Sequence, residues 1–104
     1  LEEKIHVFYN TLSPVPGWVE LMAEHIQVNE GDTILDMGTG SGVLALIAAK
    51  QAKKKGLKDV RIIATDINPW AVESARKNVE RLGYDDLIEV KGPGSLFKTV
   101  PGMK

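Results

Sequence analysis

The sequence has no cysteine. That removes a disulfide framework and a thiolate metal site, and is compatible with a cytosolic setting. Histidine is scarce as well. His6 and His25 have no acidic or thiol partner at ligand spacing, so no metal site is expected. His25 reads as a packing residue. No apolar run approaches the ~20 residues that cross a bilayer. The N-terminus, with Glu2, Glu3 and Lys4, lacks the apolar core of a signal peptide. An excess of one charge is missing too: 13 Lys and Arg face 14 Asp and Glu, for a net charge of −1, which gives no overall electrostatic case for nucleic acid. What is present is ordinary globular composition, 43% hydrophobic and 26% charged over 104 residues. The expectation is one domain with a modest core, in a cytoplasmic protein with no membrane span.

One stretch organises the rest: Thr33 to Lys50, TILDMGTGSGVLALIAAK. A short apolar run ends in Asp36 and Met37, as in a strand buried on both faces. Gly38, Gly40 and Gly42 follow at alternate positions, and Val43 onward has helical length and spacing. Glycines at a strand-to-helix turn allow positive φ and a close approach of ligand to main chain. The spacing departs from the G-x-G-x-x-G dinucleotide fingerprint, because the third position of that pattern is Val43. No Gly-Lys-Ser/Thr of a Walker loop is present. Asp36 at the strand end disfavours a phosphate and suits a ligand with hydroxyls, an ammonium or a sulfonium.

In chain order, residues 1–17 read as an N-terminal loop or short extended arm ending in Pro-Val-Pro-Gly. Trp18, Leu21, Met22, His25 and Ile26 recur at helical spacing. Asn29 to Asp32 turn the chain into the first strand. After the glycine turn the helix runs to about Lys55, with Lys53, Lys54, Lys55 and Gly56 at its end. Those lysines complement the helix dipole, which is favoured over an RNA-contacting patch with Lys50, Lys58 and Arg61. Val60 to Thr65 is a second strand ending in Asp66. Asn68 caps a helix from Pro69 to Leu82, with Val72, Ala75, Val79 and Leu82 on one face and Gly83 as its stop. A right-handed crossover sets Asp66 at the carboxyl end of a strand beside the first, where an acid can accept from a ribose diol. Trp70 either covers the site or shields the helix start. Leu87 to Lys91 is a third strand, and GPGSLFKTVPGMK is a loop or tail.

Asp36-x-Gly38-x-Gly40-x-Gly42 and ATDINPWAVESARKN together resemble the first and second motifs of the class I S-adenosylmethionine-dependent methyltransferases. The resemblance covers roughly Pro14 to Phe97. It is closest to the enzymes that methylate release-factor glutamine and ribosomal proteins. It implies an α/β, Rossmann-like parallel sheet with helices on both faces, here incomplete, with about three strands in the order 3-2-1. Residues 18–97 would be the cofactor-binding half of the domain and 98–104 a tail. The implied cofactor is S-adenosyl-L-methionine. Its implied contacts are Asp36, Gly38, Thr39, Gly40 and Gly42 at the methionine end, Asp66 on the ribose, Ile67 against adenine, and Asn68.

Two departures accompany the resemblance. Relatives carry an acidic segment after the third strand that meets the adenine amino group. Here it reads Gly92-Pro93-Gly94-Ser95, and Ser95 or a backbone group is expected in its place. The fourth strand with its Asn-Pro-Pro-Tyr-type acceptor motif is not found, so no catalytic residue is named. The first strand is then expected to be an exposed edge, with self-association through that edge or through exposed apolar helix faces. The implied function is the cofactor-binding portion of a methyltransferase acting on a protein side chain or other nitrogen acceptor, with protein or RNA as substrate. The alternative is a non-catalytic nucleotide-cofactor binding or assembly module. A dehydrogenase fragment is disfavoured by the glycine spacing.

Overall fold

The computed structural model describes residues 4–9, 26–40 and 42–93. Four strands form one parallel sheet: β1 (Lys4–Tyr9), β2 (Asp32–Met37), β3 (Arg61–Thr65) and β4 (Ile88–Lys91), in the spatial order β1-β2-β3-β4. Helix α1 (Val43–Lys54) links β2 to β3, and α2 (Pro69–Leu82) links β3 to β4. The three strands expected from the sequence are present in their expected order. The fourth is new.

β1 pairs in parallel with β2 along its whole length, Lys4 opposite Asp32 through Tyr9 opposite Met37. β2 therefore lies between β1 and β3, and the expectation of an exposed β2 edge with self-association through it is overturned. The physical reason is local. A strand with unpaired N–H and C=O groups takes the nearest complementary strand, and KIHVFY within the N-terminal arm is β-branched and aromatic enough to supply one. The helical pattern from Trp18 to His25 lies outside the described residues. Ile26, its last member, is buried in the core without helical structure.

The core explains the elements. Ile62, Ile63, Ala64 and Thr65 of β3 are all buried, as a central parallel strand requires. Ile34, Ile62, Ala64 and Ile88 face one cluster with Leu44, Ala45, Ala48, Ala49 and Ala52 of α1 and Val79 of α2. Four alanines let α1 lie close against the sheet. Both described helices thus cover the same side of the sheet, because successive right-handed crossovers that step in one direction put their helices on one face. Leu82, expected on the buried face of α2, is half exposed at the helix end.

The helix ends differ in their devices. α2 has the side chain of Asn68 as its cap, Pro69 in its first turn, and Gly83 at φ 77° closing its C-terminus. The lysines that end α1 are tied to the fold: Lys53 Nζ donates to Gly83 O at 3.0 Å and pairs with Asp86 at 3.1 Å, and Lys55 Nζ donates to Val28 O at 2.8 Å. These contacts favour a structural role over an RNA patch. Gln51 stitches the segment before β2 to α1, accepting from Val28 N and donating to Ile26 O, both at 2.6 Å.

Candidate cofactor site

The site forms where β2 and β3 end side by side. Asp36 is opposite Ala64 and Met37 opposite Thr65 in the parallel register, so both strand-to-helix turns open at the same edge of the sheet. The first turn climbs through Gly38 (φ 72°), Gly40 (φ 58°) and Gly42 (φ 89°). This left-handed backbone is accessible at low cost only to glycine. At Gly42 a side chain would also meet α2, since an added Cβ would lie 3.5 Å from that of Ala75.

The amides of this turn are already engaged. Gly38 N and Thr39 N donate to Thr65 O at 2.9 and 3.0 Å, and Gly42 N donates to Thr39 O at 2.9 Å. Gly40 N donates to Asp66 Oδ2 at 3.0 Å. A phosphate site needs amides free to face the anion. Here four are turned inward, and carboxylates stand where the phosphate would.

Asp36 is fully buried. Its Oδ2 accepts the Thr39 hydroxyl at 2.7 Å, while Oδ1 is buried without a hydrogen-bond partner. Burial pushes its carboxyl up to about 6; the Thr39 hydroxyl and the Ala45 N–H at the start of α1 pull the other way, and the charge of Asp66 adds to the rise. Asp66 is half-buried and bridges the two turns, since Oδ2 takes Gly40 N and Oδ1 takes Asn68 N at 2.9 Å. Each oxygen keeps a further lone pair, so a diol at the rim can still be bound.

The other expected contacts fall as follows. Gly38 is exposed at the rim, and Gly40 is partly so. Thr39 is buried, with its hydroxyl committed to Asp36, so it acts behind the loop. Ile67 is 75% exposed beside Asp66, as an apolar platform over which a flat ring can lie. Asn68 Oδ1 accepts Trp70 N at 2.9 Å as the α2 cap. Trp70 is 79% exposed and shields nothing at the helix start. Ser95 lies outside the described residues.

Sequence reasoning missed a second buried acid. Asp32 Oδ2 takes Asn29 N at 2.8 Å and lies 3.3 Å from His6 Nε2 of β1. The signal was the β-rich KIHVFY run, which sets His6 beside β2 once it is read as a strand. Among the described residues no cluster of three His, Cys, Asp or Glu is placed to hold a metal ion, and no helix is long and apolar enough to cross a membrane.

Comparison with known proteins follows the same lines. The family profile described as Ribosomal protein L11 methyltransferase (PrmA) matches residues 18–102. The Ribosomal protein L11 methyltransferase of Bacillus cereus (strain ATCC 10987 / NRS 248) is 47% identical over 75 residues, covering 72% of this chain and 22% of that protein. The Protein-L-isoaspartate O-methyltransferase 1 of Archaeoglobus fulgidus is 29% identical over 96 residues, covering 92% of this chain and 43% of that protein. The chain therefore spans less than half the length of these relatives. The crystal structure of coclaurine N-methyltransferase bound to N-methylheliamine and SAH superposes with a TM-score of 0.58 over 75% of this chain and 21% of that one, at 24% identity. That last likeness is one of fold. With a profile match across most of its length, paired acids at the ends of adjacent strands and a glycine turn between them, this chain belongs to the ribosomal protein L11 methyltransferase family of class I S-adenosylmethionine-dependent methyltransferases.

Proposed function

We propose that this chain forms the cofactor-holding part of a cytoplasmic methyltransferase whose acceptor is a nitrogen on a protein. The observation that carries the cofactor assignment is the acidic, amide-poor cradle. Asp36 has a buried oxygen without a partner, and an orphaned buried acceptor is stabilised by a positive group brought near it. S-Adenosylmethionine fits that demand through its ammonium and sulfonium, and its ribose diol fits Asp66. Gly38 and Gly40 let its methionine end approach the backbone, with Thr39 fixing Asp36 behind them. Ile67 supports the adenine, and Asn68 holds the α2 start that positions Ile67. By the family resemblance, Ser95 would be the adenine contact.

Bound there, the cofactor supplies an electrophilic methyl carbon on a positively charged sulfur. The residues of this chain then do positional and electrostatic work, which is the larger part of catalysis in such a transfer. No side chain here is assigned as a catalytic base. The protein acceptor is supported by what the L11 methyltransferase relatives are named for.

Isothermal titration at pH 8 with S-adenosylhomocysteine and with NAD tests the assignment. S-Adenosylhomocysteine should bind, NAD should not, and Asp66→Ala should weaken binding at least tenfold by removing the diol acceptor. Equal binding of NAD would overturn the cofactor reading. Binding without methyl transfer to any protein acceptor by the full-length protein would favour the non-catalytic binding module.

A further inference from the structure

The two carboxylates of the cradle are unequally placed. Asp66 sits at the rim with both oxygens hydrogen-bonded. Asp36 sits beneath it with one oxygen held by Thr39 and the other unpartnered and out of contact with water. No cation among the described residues offsets either: the groups acting on Asp36 are the Thr39 hydroxyl, the Ala45 N–H from α1 and the like charge of Asp66 from the β3–α2 turn. From β1, the residue beside Asp36 in the register is Phe8; of the titratable residues of that strand, Lys4 is in register with Asp32 and Tyr9 with Met37, and His6 faces Asp32.

We infer that Asp36 is a proton-linked counter-charge for the ligand: in acid the free cradle holds a proton on this carboxyl, and a cation seated at the glycine rim replaces it. The inference rests on the cofactor reading above and adds to it a proton released on binding. The balance is simple. The O–H bond of the Asp36 carboxyl breaks, the proton leaves to solvent, and the carboxylate remains opposite the incoming positive group. No oxidant or second reactant takes part.

Direct contact is not required, because the geometry already transmits charge from the rim. Asp66, at the rim, raises the protonation of Asp36 through its negative charge, and burial sets the midpoint near 6. A positive charge at the same rim acts with the opposite sign through the same low-dielectric path. Thr39 keeps its hydroxyl on Oδ2 in both states. The exchange therefore falls on Oδ1, the oxygen with no partner.

The linkage has a direction. Below the midpoint a cationic ligand must expel a proton, so its affinity falls about tenfold per pH unit; above it, affinity is flat. A neutral ligand lacking the amino-acid portion feels no such slope. The test is titration calorimetry of this chain from pH 5 to pH 8 in two buffers of different ionisation enthalpy, with S-adenosylhomocysteine, whose zwitterionic amino-acid end sets an ammonium at the rim with its carboxylate turned away, and 5′-methylthioadenosine, which carries neither group. S-Adenosylhomocysteine should release most of one proton at pH 5.5 and close to none at pH 8, losing about fivefold in affinity between pH 6 and pH 5. Methylthioadenosine should release none. Asp36→Asn should abolish the proton release, whereas His6→Gln should leave it intact. Should Asn at this position fail to fold, a carbon-13 carboxyl titration of the wild-type chain replaces it, with Asp36 titrating near 6 when free and lower when loaded. Binding at pH 8 with no slope at lower pH, or a slope that survives Asp36→Asn, overturns the inference and leaves the cofactor reading standing. No binding of either ligand at pH 8 overturns both.

Discussion

The two strand-to-helix turns of this molecule do the same topological job with opposite chemistry. The β2–α1 turn is built on three glycines at positive φ, has no side-chain cap for its helix, and buries its acid. The β3–α2 turn has no glycine, caps its helix with Asn68, starts it with Pro69, and leaves its acid half exposed. The first turn is shaped for close approach at the expense of local stability. The second is locally stable and carries the groups that a ligand reaches from solvent. Asp66 joins them, taking the Gly40 amide of one turn and the Asn68 amide of the other. A ligand on Asp66 therefore feels both turns at once.

Substitutions that push one turn toward the other's design break the contrast. The largest effect is expected for Gly42→Val. Its φ of 89° is a left-handed conformation hostile to a β-branched residue, and the added carbons press on Ala75 of α2. The summed cost is about 3 kcal/mol, read as a lower urea midpoint at unchanged m. The corresponding position before α2, Asn68, already has extended backbone at φ −88°, and Asn68→Val should cost far less.

Asp36 gives the next largest effect, with the opposite sign. Its carboxyl stands at about 6 when folded against an ordinary 3.8. A raised acid binds its proton more tightly in the folded state. Its contribution to stability is thus fully present below about pH 4 and is lost as pH rises through 6. Two pH units correspond to about 3 kcal/mol at most, and partial relaxation reduces this to about 2. Asp36→Asn keeps an oxygen for the Thr39 hydroxyl and removes the charge. It should raise stability by about 2 kcal/mol at pH 8 and by little at pH 4. Thermal melts at both values check the difference. Equal shifts at both would show that the buried acid carries no penalty when free of ligand.

The β2–α1 turn was legible in the sequence because its glycines are there for backbone reasons that no other residue meets. Asp36, Gly38, Gly40, Gly42 and Asp66 are where their spacing set them, at one end of two adjacent strands. The Pro69–Leu82 helix was legible to the residue because Asn, Pro and Gly punctuate it. What could not be read was β1. Its six residues carry no punctuation of their own, and their partner strand is far along the chain, Lys4 pairing with Asp32, so pairing with β2 is a tertiary fact. Nor could spacing say that the Thr39 hydroxyl turns toward Asp36, away from the cradle. Side-chain direction in a glycine loop depends on φ values that the sequence permits without choosing.

The cap of the second turn gives a smaller, cleaner test. Asn68 Oδ1 takes the Trp70 amide at 2.9 Å in an exposed setting. Asn68→Ala should cost about 1 kcal/mol, and Asn68→Asp should restore it, since an acid at a helix start is favoured by the dipole. No substitution at Gly42 is expected to act in that way, because its left-handed backbone at φ 89° is not the extended geometry from which a side chain caps a helix. A rescue by Asp at position 68 with none at 42 would sharpen the contrast between the two helix starts.

The smallest effect on stability is expected at Trp70. The ring is 79% exposed at the first turn of α2, so its removal takes little apolar surface from the core. Trp70→Ala should change stability by no more than about 0.5 kcal/mol. The ring nonetheless stands three residues beyond Ile67, the exposed platform of the same turn. If it covers the bound ligand, the variant should bind S-adenosylhomocysteine more weakly with its melting point intact. Titration of wild type and variant at pH 8, paired with their ligand-free melts, separates the two effects. Unchanged affinity would show that the Trp70 ring takes no part in holding the ligand. Affinity that falls while the melt stays fixed would place Trp70 beside Ile67 as a group of the second turn that acts on the ligand and not on the fold.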